Sequence, residues 1–114
     1  TPLDVTDGIF FLKSDGAATI SFIVEKDSTQ STLTLPNSLA DDTFMTLGFV
    51  YDPKDQKFHV FQNNVLAGTV VSTNAPDNEE LALSFGIQNG AAAAKTLTVD
   101  YIGASKERTA NTEL

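Results

Sequence analysis

Residues 44–71 read FMTLGFVYDPKDQKFHVFQNNVLAGTVV and carry the clearest secondary-structure pattern in the chain. Apolar side chains occupy every second position at the start of this stretch, and such alternation is typical of a β-strand with one buried face. The side chains on that face are Met45, Leu47, Phe49 and Tyr51. Two further segments rich in β-branched and aromatic residues, 58–62 and 65–71, predict two more strands.

Turn residues separate these three segments. Residues 52–57 contain a proline and predict a hairpin loop. Asn63 and Asn64 tolerate positive φ and predict a type I′ turn between the next two strands. Three consecutive strands joined in this way form an antiparallel meander.

Similar strand patterns lie on both sides of the meander. They cover residues 9–12, 19–26, 32–35, 81–88 and 96–102. Turn signals recur about every 8–12 residues, which is typical of an all-β protein. Roughly eight strands suit an antiparallel two-sheet sandwich.

The alternation also predicts which side chains face inward. Ile20, Phe22 and Val24 share one face of their strand, and the last strand has a comparable face formed by Leu97, Val99 and Tyr101. Helix is expected only as one turn over residues 38–42, with Ser38 as its N-cap. Residues 91–94 are four alanines, too few to repay helix nucleation, and predict a loop.

Composition bounds the class of protein. The chain has 114 residues, with 7 basic and 15 acidic side chains and a net charge of −8. We predict a single domain over residues 1–114, in which the polar residues 105–114 form a flexible or partner-docked tail. The acidic balance argues against a nucleic-acid partner, and no apolar run is long enough to span a membrane as a helix.

The residues that could carry catalysis do not form a recognisable pattern. Cysteine is absent and His59 is the single histidine, which excludes thiol catalysis and His-rich metal sites. The paired acids Asp41-Asp42 and Glu79-Glu80 are sequence neighbours whose side chains point in different directions, unlike the facing carboxylates of a glycosidase. A structural role is the favoured interpretation of His59. We therefore predict no catalytic residues and no enzyme activity.

Candidate metal ligands are acidic turn residues. Asp52 and Asp55 flank a turn, and Asp77 lies in a second acidic loop. Calcium prefers such hard oxygen ligands, although a turn-forming role explains the same residues. We predict no cofactor, and keep Ca²⁺ at these residues as the alternative.

Candidate sugar-binding residues are aromatic side chains outside the predicted core, with a neighbouring polar turn. Most of the 8 phenylalanines fall on inward strand positions, where packing explains them. The strand pattern does not assign Phe44 and Phe61 to either face, and either could serve as a platform for a sugar. Asn63 and Asn64 are the candidate hydrogen-bonding residues beside them.

The order and spacing of several segments, taken together, resemble a known family. The segments are residues 7–11, 39–52, 58–64, 74–77, 85–90 and 97–102. From residue 8 to residue 108 they resemble the later part of a concanavalin A-like (laminin G-like) jelly-roll domain of tailed-bacteriophage virion proteins. The resemblance implies an all-β, antiparallel two-sheet jelly-roll sandwich.

The resemblance also implies a function and a setting. We expect a non-enzymatic viral structural protein located in the virion: a capsid decoration, head-fibre or tail-associated module that acts through protein assembly. Its partners would be other virion subunits, in a homo-oligomer or through completion of the sandwich by another chain. The alternative is a carbohydrate-binding, lectin-like module that depends on Ca²⁺ or acts without it.

Two departures from the family pattern shape these expectations. The family has further strands ahead of Asp7, so we expect a sandwich shortened at its N-terminus or completed by another chain. Related glucanases carry the catalytic pattern Glu-x-Asp-x-x-Glu, and the segment that could hold it, residues 45–51, contains no carboxylate. Hydrolysis is therefore not expected.

Overall fold

The computed structural model describes residues 5–77 and 96–105. The chain divides into two compact units, Thr1–Leu81 and Ala82–Leu114. Within the first unit, the described elements in chain order are β1 (Gly8–Leu12), β2 (Ser21–Lys26), β3 (Thr29–Thr34), β4 (Leu47–Asp52), β5 (Lys57–Gln62), β6 (Val65–Val71) and a short 3₁₀ turn (Ser72–Asn74). The prediction of a single domain over the whole chain stays a prediction.

The six strands form two antiparallel sheets of three strands each. The first has the order β1-β2-β3 and the second, the predicted meander, has the order β4-β5-β6. Asn63 and Asn64 adopt φ values of 53° and 65°, which confirms the predicted left-handed turn between β5 and β6. Asp27 and Ser28 form an equivalent turn between β2 and β3, with φ values of 49° and 63°.

The two sheets bury a common core, as in a β-sandwich. Ile20, which precedes β2, and Phe22 and Val24 of β2 are all buried, which confirms the face predicted for this segment. From the second sheet, Phe58 and Val60 join them, and the rings of Phe22 and Phe58 lie 5.8 Å apart. Stacked inner faces of this kind are the expected result of period-two alternation in both sheets.

The two sides of the sandwich differ. On the closed side, β3 lies against β6, and a Cβ atom built on Gly68 would lie 2.9 Å from Leu33 Cδ2. On the open side, β1 lies near β4, with the rings of Phe11 and Phe49 6.3 Å apart. Phe49 and Tyr51 point inward as predicted, since both contact Phe58, but remain 41% and 43% exposed.

Two predicted elements are wrong. Residues 96–105 contain no strand, and Leu97, Val99 and Tyr101 are exposed, because alternation creates a strand only where a neighbouring edge supplies hydrogen-bond partners. Residues 38–42 contain a turn rather than a helix, since so short a segment cannot repay nucleation.

Several predictions lie outside the described residues. They concern the strand at residues 81–88, the loop at 91–94 and the tail beyond residue 105. In the described ranges, 5–77 and 96–105, no helix is long and apolar enough to cross a membrane. The described strands establish an all-β architecture of two antiparallel sheets, compatible with a β-sandwich.

Candidate functional site

The outer face of the second sheet carries a shallow depression of about 360 Å³. Its lining consists of Thr46, Gly48, Phe49, Val50, Phe61 and Asn64. Two of the four predicted ligand-binding residues, Phe61 and Asn64, therefore come together in one place. Phe44 and Asn63 do not line this depression.

A glycine opposite an aromatic residue creates the depression. Gly48 of β4 pairs with Phe61 of β5, so the two occupy the same outer face of the sheet. A Cβ atom on Gly48 would meet no other atom within 4 Å, which means that the space beside Phe61 is open. Val50 lies two residues farther along β4 on the same face and is exposed. The space beside Phe61 depends on the register of β4 and β5.

The two asparagines of the hairpin have different roles. Asn63 Oδ1 accepts a hydrogen bond from the Thr46 N–H at 3.0 Å, and the Asn63 N–H donates to the Thr46 carbonyl at 2.8 Å. Asn63 therefore fixes the end of the hairpin against β4. The Asn64 side chain makes no hydrogen bond to any residue in the described ranges, so its amide is available to a ligand. Phe44 is exposed in the irregular segment before β4.

The predicted metal ligands are divided between two places. Asp52 ends β4 and Asp55 lies in the loop that follows, and ligand atoms of both and of His59 all lie within 4.8 Å of one another. Asp77 does not join this group, and its Oδ2 instead pairs with Lys26 Nζ at 3.3 Å. The sequence favours a structural role for His59. The register shows its proximity to Asp52, because His59 and Asp52 are diagonal neighbours across β4 and β5.

The local geometry around Asp52 is explained by turn formation. Its Oδ1 accepts hydrogen bonds from the N–H groups of Lys54, at 3.0 Å, and Asp55, at 3.4 Å, which closes the hairpin loop. Its Oδ2 lies 4.0 Å from His59 Nε2, beyond hydrogen-bond distance. The two carboxylates supply at most four of the six to eight oxygen ligands that Ca²⁺ takes, and Ca²⁺ at this loop stays a prediction.

A second concavity of about 320 Å³ lies on the open side of the sandwich. Its lining is mostly apolar: Ile9, Phe49, Tyr51, Phe58, Ser72, Ala75, Pro76 and Asp77. The sequence does not indicate this cleft, because its alternation predicts that Phe49 and Tyr51 face inward. Their half-exposed state follows from the separation of β1 and β4, which no local pattern encodes.

The acids considered for catalysis are turn residues where they are described. Asp41 and Asp42 are both exposed, and Asp42 has a φ of 56°. Glu79 and Glu80 lie outside the described residues. The prediction that the protein is not an enzyme stays a prediction.

Comparisons of the chain with family models, with curated proteins and with solved structures find no match. The class of protein is therefore defined by its described strands alone: an all-β protein with two antiparallel three-stranded sheets. The resemblance to virion jelly-roll domains stays a prediction.

Proposed function

We propose that the protein is a non-enzymatic assembly module whose open side accepts an extended strand of another subunit. Following the resemblance of residues 8–108, we propose that the setting is the virion of a tailed bacteriophage, as a capsid decoration, head-fibre or tail-associated module. The observation that supports assembly is the pair of neighbouring outer strands, β1 and β4, with an apolar cleft between them.

Within residues 5–77 and 96–105, no strand pairs with the outer edge of β1 or of β4. The Leu35 N–H bonds to the Ile20 carbonyl at 2.8 Å, and this sets which residues of β2 bond to β3. The alternate residues of β2 bond to β1, which leaves the N–H groups of Ile9 and Phe11 directed away from the sheet. By the same pattern, the Asn63–Thr46 bond leaves Phe49 and Tyr51 of β4 with N–H groups directed outward.

The side chains of these same residues supply the apolar half of the interface. Ile9, Phe49 and Tyr51 line the open-side cleft, and Ala75 and Pro76 lie at its border. An added strand would bury these apolar surfaces and also satisfy the outward backbone groups of the outer strand with which it pairs, which is how strand addition combines affinity with specificity. Each square ångström of apolar surface buried in this way would contribute about 25 cal/mol of favourable free energy to strand addition.

Charge favours a different subunit over a second copy as the occupant. The chain carries a net charge of −8, and two copies would repel each other on approach. Asp77 is the one charged residue in the described cleft lining, and it already pairs with Lys26. The expected partner strand therefore alternates apolar residues, which enter the cleft, with basic residues, which face the acidic surface.

Hydrogen exchange measured by NMR tests strand addition at single amides. The full chain is examined alone and with a short blocked peptide of alternating valine and lysine. We expect the amides of Ile9, Phe11, Phe49 and Tyr51 to exchange rapidly in the free chain. With the peptide, the pair on the strand that it joins, Ile9 and Phe11 of β1 or Phe49 and Tyr51 of β4, should become protected. The amides of β2 serve as an internal reference, since β2 is paired on both sides. A peptide of the same composition with its valines grouped at one end is the control.

The outcomes separate the possible occupants. If the outer amides are protected in the free chain and the protection increases with protein concentration, a second copy of the chain occupies the open side. If the protection is independent of concentration, another part of the same chain occupies it. Either result overturns the proposal, as does rapid exchange that the alternating peptide leaves unchanged. The virion setting is tested separately, by mass spectrometry of purified particles of a phage that encodes the chain. If the peptide adds as a strand but the chain is not detected in these particles, the virion setting is wrong and the assembly role stands.

A further inference from the structure

We propose that the outer-face depression of the second sheet binds one neutral pyranose ring of a glycan. The inference goes beyond strand addition, because the depression lies on the opposite face of the sheet from the core. It gives the lectin-like alternative a specific location, around Gly48 and Phe61.

The floor of the depression suits the apolar face of a sugar. Phe61 is partly buried, so its ring is held by the sheet rather than free in solvent. Gly48 leaves the neighbouring space empty, and the exposed Val50 extends the apolar surface along the strand. A pyranose presents C–H groups on one face, and these pack on aromatic and aliphatic carbon with weak C–H contacts.

The rim supplies neutral polar groups. The Asn64 amide can donate and accept hydrogen bonds, and the Thr46 hydroxyl can do both. Neither side chain is hydrogen-bonded to a residue in the described part of the chain. Asn63 holds the hairpin that presents Asn64, through its two bonds to the Thr46 backbone. Ring hydroxyls would therefore meet positioned partners at the edge of an apolar floor, which is the usual composition of a small-molecule site.

Charge selects the ligand class. All the residues that line the depression are uncharged, and the chain as a whole is acidic, so an anionic ligand would find no counter-charge. Thr46 and three residues of β4 form one side of the lining, and Phe61 and Asn64 lie beside them. A neutral hexose residue satisfies the charge condition, and the experiment below distinguishes it from a peptide.

The experiment combines an array of neutral glycans with NMR titration of the best glycan. We expect the amide signals of Gly48, Phe61 and Asn64 to shift on binding. Gly48→Val fills the depression where a Cβ meets no other atom, so this variant should fold normally and lose binding. Asn64→Gly keeps the positive φ of the turn and removes the amide, and should weaken binding about tenfold.

Controls separate this site from the other surfaces. Val71→Thr changes an exposed position of β6 outside the lining, and should bind like the parent chain. Phe49 lines both concavities and is left unchanged for that reason. Addition of EDTA should have no effect, since no carboxylate lines the depression.

Several results would overturn the proposal: an array without bound glycans, glycan binding that survives Gly48→Val, or glycan binding that EDTA abolishes. Signal shifts produced by a polyproline peptide but by no glycan would assign the depression to a peptide instead. None of these outcomes depends on the open side, so failure here and failure of strand addition are distinguishable.

Discussion

The closed and open sides of the sandwich differ in the size of the side chains that separate the two sheets. On the closed side, β6 contributes Ala67 and Gly68, and the sheets approach until Leu33 nearly fills the space over Gly68. On the open side, β1 and β4 contribute Phe11, Phe49 and Tyr51, whose rings hold the strands apart and remain partly exposed. The spacing between sheets is thus set by local side-chain volume, and a cleft results where that volume is large but uncovered.

The largest expected loss of stability comes from shortening side chains of the aromatic cluster, which is formed by Phe11, Phe22, Phe49 and Phe58. Phe22 lies at its centre and Phe49 at its open end. Phe22 is 0% exposed and contacts Phe11, Phe49 and Phe58, so Phe22→Ala should lower the free energy of unfolding by about 3–5 kcal/mol. Phe49→Ala should lower it by about half as much, because Phe49 is already partly in water. Urea unfolding of both variants measures the difference. Equal losses would mean that the open side is as well packed as the centre.

A matched pair of glycine substitutions tests the close approach on the closed side. Gly68→Val should lower the free energy of unfolding by up to about 3 kcal/mol, because the new side chain overlaps Leu33. Gly48→Val, on the outer face of the same sheet, should change it by less than about 1 kcal/mol, since nothing lies near its Cβ and valine favours strands. Thermal unfolding of both proteins compares them. Similar stabilities would contradict the assigned difference between the two faces.

A smaller loss of stability is expected in the connection between β3 and β4, where the chain crosses from the closed side to the open side. Gln62 is 1% exposed, accepts a hydrogen bond from the Asn37 N–H at 2.9 Å and donates one to the Asn37 carbonyl at 2.7 Å. Gln62→Met keeps the volume and leaves both Asn37 groups without that partner, at a cost of about 2 kcal/mol.

The position of that loss can be checked directly. Hydrogen exchange should show that the Asn37 amide loses its protection in Gln62→Met while the β2 amides keep theirs. Unchanged protection at Asn37 would show that the contact does not hold the connection between the sheets. Asn74, whose Nδ2 donates to Ser31 Oγ at 3.0 Å at the other end of β3, offers a partly buried control for side-chain amide loss.

Strand identity in residues 5–77 could be predicted because the signals are local. Alternation identified the inner faces of β2 and β4, and two adjacent asparagines indicated a left-handed turn. Alternation failed for residues 96–102, where the pattern is present but no strand is found. The difference is physical, since a strand also needs an edge to pair with, and sequence periodicity carries no information about edges.

The candidate sites show the same division. Phe61 and Asn64 could be selected by residue type, but the space between them depends on Gly48 lying opposite Phe61. The proximity of His59 to Asp52 likewise depends on the register of β4 and β5. Asp77 could not be separated from the other acids without knowing that Lys26 pairs with it.

The all-β class, the strand faces and the tight turns of this protein follow from its sequence, because side-chain alternation and the φ values that single residues tolerate are local properties. The sequence does not show which of the described strands lie at the sheet edges, how closely the sheets approach or where the two concavities lie. Those features depend on contacts between residues distant in the chain, such as Gly68 with Leu33 and Phe11 with Phe49.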